Sequence, residues 1–197
     1  LLYGASALGL TAAGFAGGAL LVGGRRVDES PVGVSSFQRL TFRRGLIRSA
    51  RFGPDGQTIF YGALWDGELC RVHSTRTDNP ESRALDLPNA NVLAVSRTGD
   101  LAISLGPNLD GVFTYGTLAR VPIAGGAPRE LLERVKFADW SPDGMELAVI
   151  RNVEGSDRLE YPLGKILFEP KVDAGRGLGF VRISPDGRQV AFVHYRA

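Results

Sequence analysis

Phe137-Ala-Asp-Trp-Ser-Pro-Asp-Gly144 leads into Leu147-Ala-Val-Ile150, and Phe180-Val-Arg-Ile-Ser-Pro-Asp-Gly187 leads into Val190-Ala-Phe-Val193. Both read as an apolar strand, a tight turn and a second apolar strand. Upstream, Ser49-Ala-Arg-Phe-Gly-Pro-Asp-Gly56 precedes Thr58-Ile-Phe-Tyr61, and Val92-Leu-Ala-Val-Ser-Arg-Thr-Gly99 precedes Leu101-Ala-Ile-Ser104 in the same order. The turn glycines Gly56, Gly99, Gly144 and Gly187 are spaced 43, 45 and 43 residues apart. A period of about 40–45 residues with strand-turn-strand content marks a β-propeller, one four-stranded blade per repeat.

The turn residues have separate physical jobs. Pro54, Pro142 and Pro185 preset φ near −65°, Asp55, Asp143 and Asp186 tolerate the bridge region, and the glycines accept the positive φ that closes a hairpin. The second repeat keeps only Gly99 of this set, so its turn is expected to be looser. The three aspartates are read as structural, because no other metal-ligating or catalytic side chain converges on them.

Working outward, Glu68–Thr75 and Ser82–Leu87 complete the first blade. Leu118–Ile123, the turn Ala124-Gly125-Gly126 and Arg129–Leu132 complete the second. Leu159–Pro162 with Lys165–Glu169 complete the third. Blade repeats therefore fall near residues 45–88, 89–132, 133–175 and 176–197, the last incomplete. Residues 37–197 offer 161 positions, about three and a half blades of an all-β partial propeller. Its last strand is expected to be an unpaired edge.

Composition agrees. Gly (26) and Pro (11) make up close to a fifth of the 197 residues, which suits many turns. A formal net charge of +2 gives no support to a nucleic-acid-coating protein, and 44% hydrophobic residues exclude a disordered chain. Cys70 is the only cysteine, which rules out an intramolecular disulfide and a thiolate metal cluster and leaves a small buried hydrophobe.

Residues 1–24 carry no charge, and their polar side chains are Tyr3, Ser6 and Thr11. A helix of that length would be about 36 Å long, enough to cross a hydrocarbon core of about 30 Å. The expectation is one N-terminal transmembrane helix, Leu1–Gly24, with Gly14 and Gly18 as a G-x-x-x-G pair that suits a helix-mediated dimer. The rival readings are a signal segment and a buried helix. Because the chain starts with Leu inside the apolar run, a longer protein with an upstream domain is expected. Residues 25–36 read as a linker, holding Arg25, Arg26, Pro31 and Gly33. Arg25, Arg26, Arg39, Arg43, Arg44, Arg48 and Arg51 against Asp28 and Glu29 bias this flank toward the cytoplasm, but the upstream flank needed for comparison is missing.

The S-P-D-G units, together with Leu118-Ala-Arg-Val-Pro-Ile-Ala-Gly-Gly-Ala-Pro-Arg-Glu-Leu131, resemble the repeats of the TolB-like, WD-like propeller family over about four-fifths of the chain. The order of span, linker, Phe37-Gln-Arg-Leu-Thr-Phe42 and repeats is similar to bacterial serine/threonine protein kinases with a C-terminal extracytoplasmic propeller. That resemblance implies a membrane-anchored sensory or interaction domain, single-pass and extracytoplasmic, that binds a protein, peptide or glycan. Its kinase would lie upstream, with no enzyme activity in this segment. The alternatives are a periplasmic TolB-like scaffold with a signal segment, and the propeller of a prolyl-oligopeptidase-type hydrolase.

No catalytic, cofactor or metal grouping emerges. His73 and His194 are the only histidines and lie far apart; His73 is expected as a half-exposed strand residue. Gly175-Arg-Gly-Leu-Gly179 lacks the G-K-[ST] of a phosphate loop and reads as a blade-to-blade connection. Trp140 shares its register with Phe52, Val95 and Ile183 and is expected in the core. Trp65 and Asp66, in the hairpin Trp65-Asp66-Gly67, are the candidate binding surface. Arg51, Ala94, Asp139 and Arg182 occupy equivalent places on successive inner strands, so Asp139 and Arg182 are expected to share a polar network.

Overall fold

In the computed structural model the described residues are 37–110, 113–170 and 177–195. The expected transmembrane helix and the linker, residues 1–36, lie outside them, as do Gly175 and Arg176 of the expected Gly175–Gly179 connection, whose remaining three residues open a strand. Among the described residues no helix is long and apolar enough to cross a membrane. The compact unit Arg39–Ala197 carries all the strands described below.

Blade 1 is an antiparallel meander of β1 (Gly45–Phe52), β2 (Thr58–Trp65), β3 (Arg71–Arg76) and the short β4 (Arg83–Ala84). Blade 2 is built from β5 (Ala90–Val95), β6 (Asp100–Asp110), β7 (Phe113–Pro122) and the first part of β8 (Arg129–Trp140). Blade 3 takes the second part of β8, then β9 (Leu147–Val153), β10 (Ser156–Glu160) and β11 (Ile166–Phe168). Blade 4 comprises β12 (Gly177–Ile183) and β13 (Val190–Tyr195).

Two differences from the sequence expectation stand out. The outer strand of blade 2 and the inner strand of blade 3 were read as separate segments, yet β8 runs through both. Residues 129–132 pair with β7, residues 137–140 pair with β9, and Val135 pairs with both, which joins β5 to β11 in one seven-stranded sheet. The transfer between blades falls beside Arg134, whose φ of 54° bends the strand there. Second, β6 and β7 extend well past the expected 101–104 and 118–123, so their hairpin overhangs the blade.

The four turns are one device. The carbonyls of Gly53, Ser96, Ser141 and Ser184 accept from the amides of Gly56, Gly99, Gly144 and Gly187 at 3.0, 3.2, 2.8 and 2.9 Å. All four glycines hold positive φ, from 67° to 92°, where a Cβ would be strained. Asp143 Oδ1 accepts from the Ser141 hydroxyl and the Met145 amide, and Asp186 Oδ1 accepts from the Ser184 hydroxyl and the Arg188 amide. In the second repeat Ser96 and Thr98 join hydroxyls at 2.7 Å in place of that aspartate. Its closing bond is the longest of the four but it is formed, so the turn is looser only by a few tenths of an ångström.

Inner strands meet blade to blade, which puts the core between sheets. Phe60 and Val72 of blade 1 pack on Val92, Leu101 and Ile103 of blade 2. Leu93 and Leu118 of blade 2 pack on Ala138, Trp140 and Val149 of blade 3. Ile150 and Leu159 of blade 3 pack on Leu178 and Val181 of blade 4. At full burial each such side chain contributes about 1.5–3 kcal/mol. Gly62 sits where blade 1 comes closest to blade 2: a Cβ there would fall 1.9 Å from Asn91 Oδ1. Ser49 clamps the same seam, donating to Asn91 Oδ1 at 2.8 Å and the Val92 carbonyl at 2.6 Å.

Candidate functional site

The inner strands β1, β5, β8 and β12 present two ends of an axis, and the sequence furnishes them differently. At the turn end, alternation along each strand sends Arg51, Asp139 and Arg182 toward the axis from blades 1, 3 and 4. Asp139 Oδ2 accepts from the Ile183 amide of the next blade at 2.8 Å. Burial pushes the Asp139 carboxyl up, and the Ile183 amide, Arg182 and Arg51 each pull it part of the way back. Arg51 is lowered by burial, then by the like charge of Arg182, while Asp139 opposes both. Asp139 and Arg182 thus share one electrostatic network, as the register implied, but among the described residues they form no direct ion pair. Each guanidinium folds back onto its own strand: Arg51 Nη1 donates to the Ala50 carbonyl at 2.8 Å, and Arg182 Nη1 to the Val181 carbonyl at 2.7 Å. Ala94, the fourth register position, is buried in the seam between blades 2 and 3.

A cleft of about 390 Å³ opens beside Asp139, walled by Val95, Arg97, Asp139, Trp140, Pro142 and Ser184; Arg51 and Arg182 are not in its wall. Trp140 is only 7% exposed, as expected of a core residue, yet its indole Nε1 is buried with no hydrogen-bond partner. Arg120 lies over its ring at 5.3 Å and is anchored to Asp100 at 2.6 Å. Phe52 departs from the shared apolar register: it is 63% exposed, on the side of β1 opposite blade 2.

The other end is aromatic. The β6–β7 hairpin reaches across to three other blades. Thr114 Oγ1 accepts from Arg48 Nη1 of blade 1 at 2.6 Å, and Phe113 lies 6.3 Å from Phe137 of blade 3 and 5.5 Å from Tyr195 of blade 4. Lys136 Nζ sits 4.2 Å from the Phe113 centroid and 4.9 Å from that of Tyr115. Beneath them Lys136 pairs with Asp157, both almost fully buried, and Asp157 also accepts from the Leu178 amide at 2.8 Å, tying blade 3 to blade 4. Nothing in the repeat spacing signals this cap; the segment Gly106–Gly116, between two strands that needed only a turn, is the one sequence feature that marks it.

Trp65 and Asp66 fall elsewhere. Asp66 is exposed, at a φ of 51°, and pairs with Arg43 at 3.2 Å. Trp65 is buried at 5% exposure, with Arg43 over its ring at 5.4 Å, and lines a cavity of about 350 Å³ with Arg43, Glu68, Arg71 and His73. His73, expected to be half-exposed, is also buried: it stacks on Tyr61 at 5.2 Å and meets the Trp65 ring edge-on. Burial, then Arg43 and Arg71, holds its imidazole below the ordinary histidine range, hence neutral. Cys70 is a buried free thiol, pushed up by burial. Among the described residues no three His, Cys, Asp or Glu side chains gather as a metal site. A larger groove, about 890 Å³, runs between the outer strands of blades 1 and 2, but its Arg76 is already engaged by Asp78, Asp55 and Gln57. The axis, where side chains from three blades converge, is therefore the candidate site.

With that geometry in view, the likeness to solved structures is informative. No protein-family model matches the chain, and no curated protein matches it. TolB from Acinetobacter baumannii superposes with a TM-score of 0.61 at 14% identity, covering 80% of this chain and 40% of that one. A TolB-type protein from Agrobacterium tumefaciens gives 0.57 at 19% identity, covering 75% of this chain and 53% of that one. The fold is a TolB-like β-propeller, and the chain spans about half or less of the length of these TolB chains.

Proposed function

We propose that this chain is a TolB-like propeller scaffold that binds a protein, peptide or glycan partner at the turn end of its axis and carries out no reaction itself. The observation that supports this reading is a cleft at the turn end to which three blades contribute, Val95 and Arg97 from blade 2, Asp139 and Trp140 from blade 3 and Ser184 from blade 4, with Asp139 held by the Ile183 amide of the next blade. Propellers place ligands at such mouths because each blade contributes one side chain to a common centre. A periplasmic setting goes with it, by analogy of fold alone.

A photo-crosslinking amino acid placed at Ser184, in the cleft wall, tests it in the full-length protein in its native cells. A discrete adduct from position 184, absent when the label sits at the outer-strand residue Glu130, is the expected result; adducts from position 130 alone would overturn the reading. The 24-residue uncharged run at the N-terminus favours a second, finer reading, in which the scaffold is membrane-anchored and follows a kinase domain. The complete reading frame tests that: a kinase signature upstream supports it, and a leader peptide cleaved near residue 24 removes it.

A further inference from the structure

The face of blade 1 turned away from blade 2 holds the cavity of about 350 Å³, and the strand register explains it. Phe60 and Val72 pack on blade 2, so alternation sends Tyr61, Ala63 and Trp65 of β2, and Arg71 and His73 of β3, to the opposite face. Arg71 lies across from Ala63, and His73 lies between Tyr61 on one side and Ala84 on the other. Two alanines thus stand where larger side chains would fill the sheet face, and the hollow opens beside them. The β2–β3 loop folds back through Asp66 and Gly67, at φ of 51° and 84°, and the Glu68 amide donates to the Trp65 carbonyl at 2.8 Å. That turn brings Glu68 and Leu69 into the wall. His73 also lines it, at 5% exposure, with an Nε2 that is buried and has no hydrogen-bond partner. Unmet buried nitrogens are uncommon and costly. Tyr61 stacked at 5.2 Å and the Trp65 edge at 6.1 Å fix the ring. Being neutral, it offers one N–H donor and one acceptor. Arg43 in the wall lies over Trp65 and gives one nitrogen to Asp66, whereas Arg71 and Glu68 have no ion-pair partner among the described residues.

We propose that this cavity binds an organic carboxylate with a small apolar body, the carboxylate on the Arg71 fork and beside the His73 imidazole, the body against Ala63, Trp65 and Leu69. A planar carboxylate matches the guanidinium geometry, and Arg43 adds a second positive charge to the same wall. Leu69 is 68% exposed at the rim, an apolar side chain that the ligand body would cover. The volume falls at the small end of ligand cavities, which run about 300–1,000 Å³, so it admits one small molecule or one terminal residue of a peptide, not a folded surface. Glu68 opposes a second negative charge and so selects monocarboxylates. The site is separate from the turn-end cleft and does not rest on that cleft being a binding surface.

Benzoate and acetyl-Gly-Gly-Phe with a free C-terminus are the probes, and benzamide, the amidated tripeptide and inorganic phosphate are the controls. Binding to the whole chain is followed by calorimetry and by nitrogen NMR of the imidazoles, with His194, the other histidine, as internal reference. At least one acid is expected to bind about tenfold or more tightly than its amide, since about tenfold corresponds to one charge-assisted bond. The bound acid should raise the titration midpoint of His73, because a nearby negative charge favours the imidazolium, and leave His194 unmoved. Arg71→Gln should weaken binding by about tenfold, Arg71→Lys should recover part of it, and Glu68→Gln should tighten it a few-fold. Arg71 and Glu68 are both exposed, so these variants report on binding without disturbing the core. Binding of benzoate supports the site with a free acid as its ligand; binding of the tripeptide acid alone supports it with a peptide terminus. Failure of both acids to bind, equal affinity for acid and amide, indifference to Arg71→Gln, an unmoved His73 or binding of phosphate alone would each overturn the inference. Crosslinking at Ser184 is unaffected by any of these outcomes, so the two sites stand or fall separately.

Discussion

The two ends of the axis are made from the same inner strands and are chemically opposite. At the hairpin end Phe113, Tyr115, Phe137, Phe180 and Tyr195 gather over the paired and buried Lys136 and Asp157. At the turn end Arg51, Asp139 and Arg182 face one another with their pairing incomplete. Satisfied polar groups beneath an apolar cap hold blades together; unsatisfied ones at an open mouth are available for a ligand. On the proposed reading, the contrast gives stability to one end and recognition to the other.

The largest effect should come from breaking the sealed end. Asp157→Ala strands a buried ammonium and frees the Leu178 amide, so urea denaturation should show a loss of about 3–5 kcal/mol. Lys136→Met with Asp157→Leu should recover most of it, because an apolar pair removes the uncompensated charge. A loss below about 1 kcal/mol for the single change would mean the pair does not clamp blades 3 and 4. Next in size, Phe113→Ala removes the hub of a half-buried aromatic cluster and should cost about 1–2 kcal/mol while raising amide exchange in the β6–β7 hairpin. Protection unchanged in residues 104–108 would show that the hairpin is held without its tip contacts.

Changes at the turns sharpen the same comparison. Gly144→Ala meets Ser96 Oγ at 2.4 Å in addition to its strained φ of 75°, whereas Gly56→Ala meets open space at 67°. The first should cost about 2 kcal/mol and the second about 1, read from midpoints of chemical unfolding. Equal losses would mean the second-repeat turn does not press on blade 3.

The smallest effect is one of pH. Asp55 accepts from the Thr58 hydroxyl and amide and from the Gln57 amide, which hold its carboxyl at about 2 against an ordinary 3.8. Asp143 and Asp186 are lowered in the same direction, by the Ser141 and Ser184 hydroxyls first. A carboxyl lowered by folding binds its proton more readily in the unfolded chain. Its contribution is therefore complete above about pH 4 and fades as pH falls toward 2. Asp55→Asn should flatten the stability profile in that window, lowering stability near neutrality and leaving it nearly unchanged toward pH 2; a flattening above pH 5 would point to another group.

How much of this could be read in the sequence follows from the range of each interaction. The turns and their flanking strands were legible because Pro, Asp and Gly act on their own backbone within four residues, and the 43-residue period carries the blade count. Even the degenerate Arg97-Thr98-Gly99 turn could be placed, since Ser96 and Gly99 supply the closing bond. The electrostatic neighbourhood of Asp139 and Arg182 followed from register alone. The aromatic cap did not, because Phe113 and Thr114 between them meet residues of three other blades whose proximity depends on how far the hairpin leans. The burial of Trp65 and His73 was not legible for a related reason: it comes from stacking across a sheet face, which composition and alternation do not encode.

Distances between spin labels test the radial arrangement most directly. One doubly labelled chain carries labels at Arg51 and Asp139 on the inner strands of blades 1 and 3, and a second carries them at Arg83 and Leu167 on their outer strands. Blades fanned about an axis require the inner pair to be clearly closer together than the outer pair. Equal separations would place the sheets in parallel layers, and the axial site with everything argued from it would be contradicted.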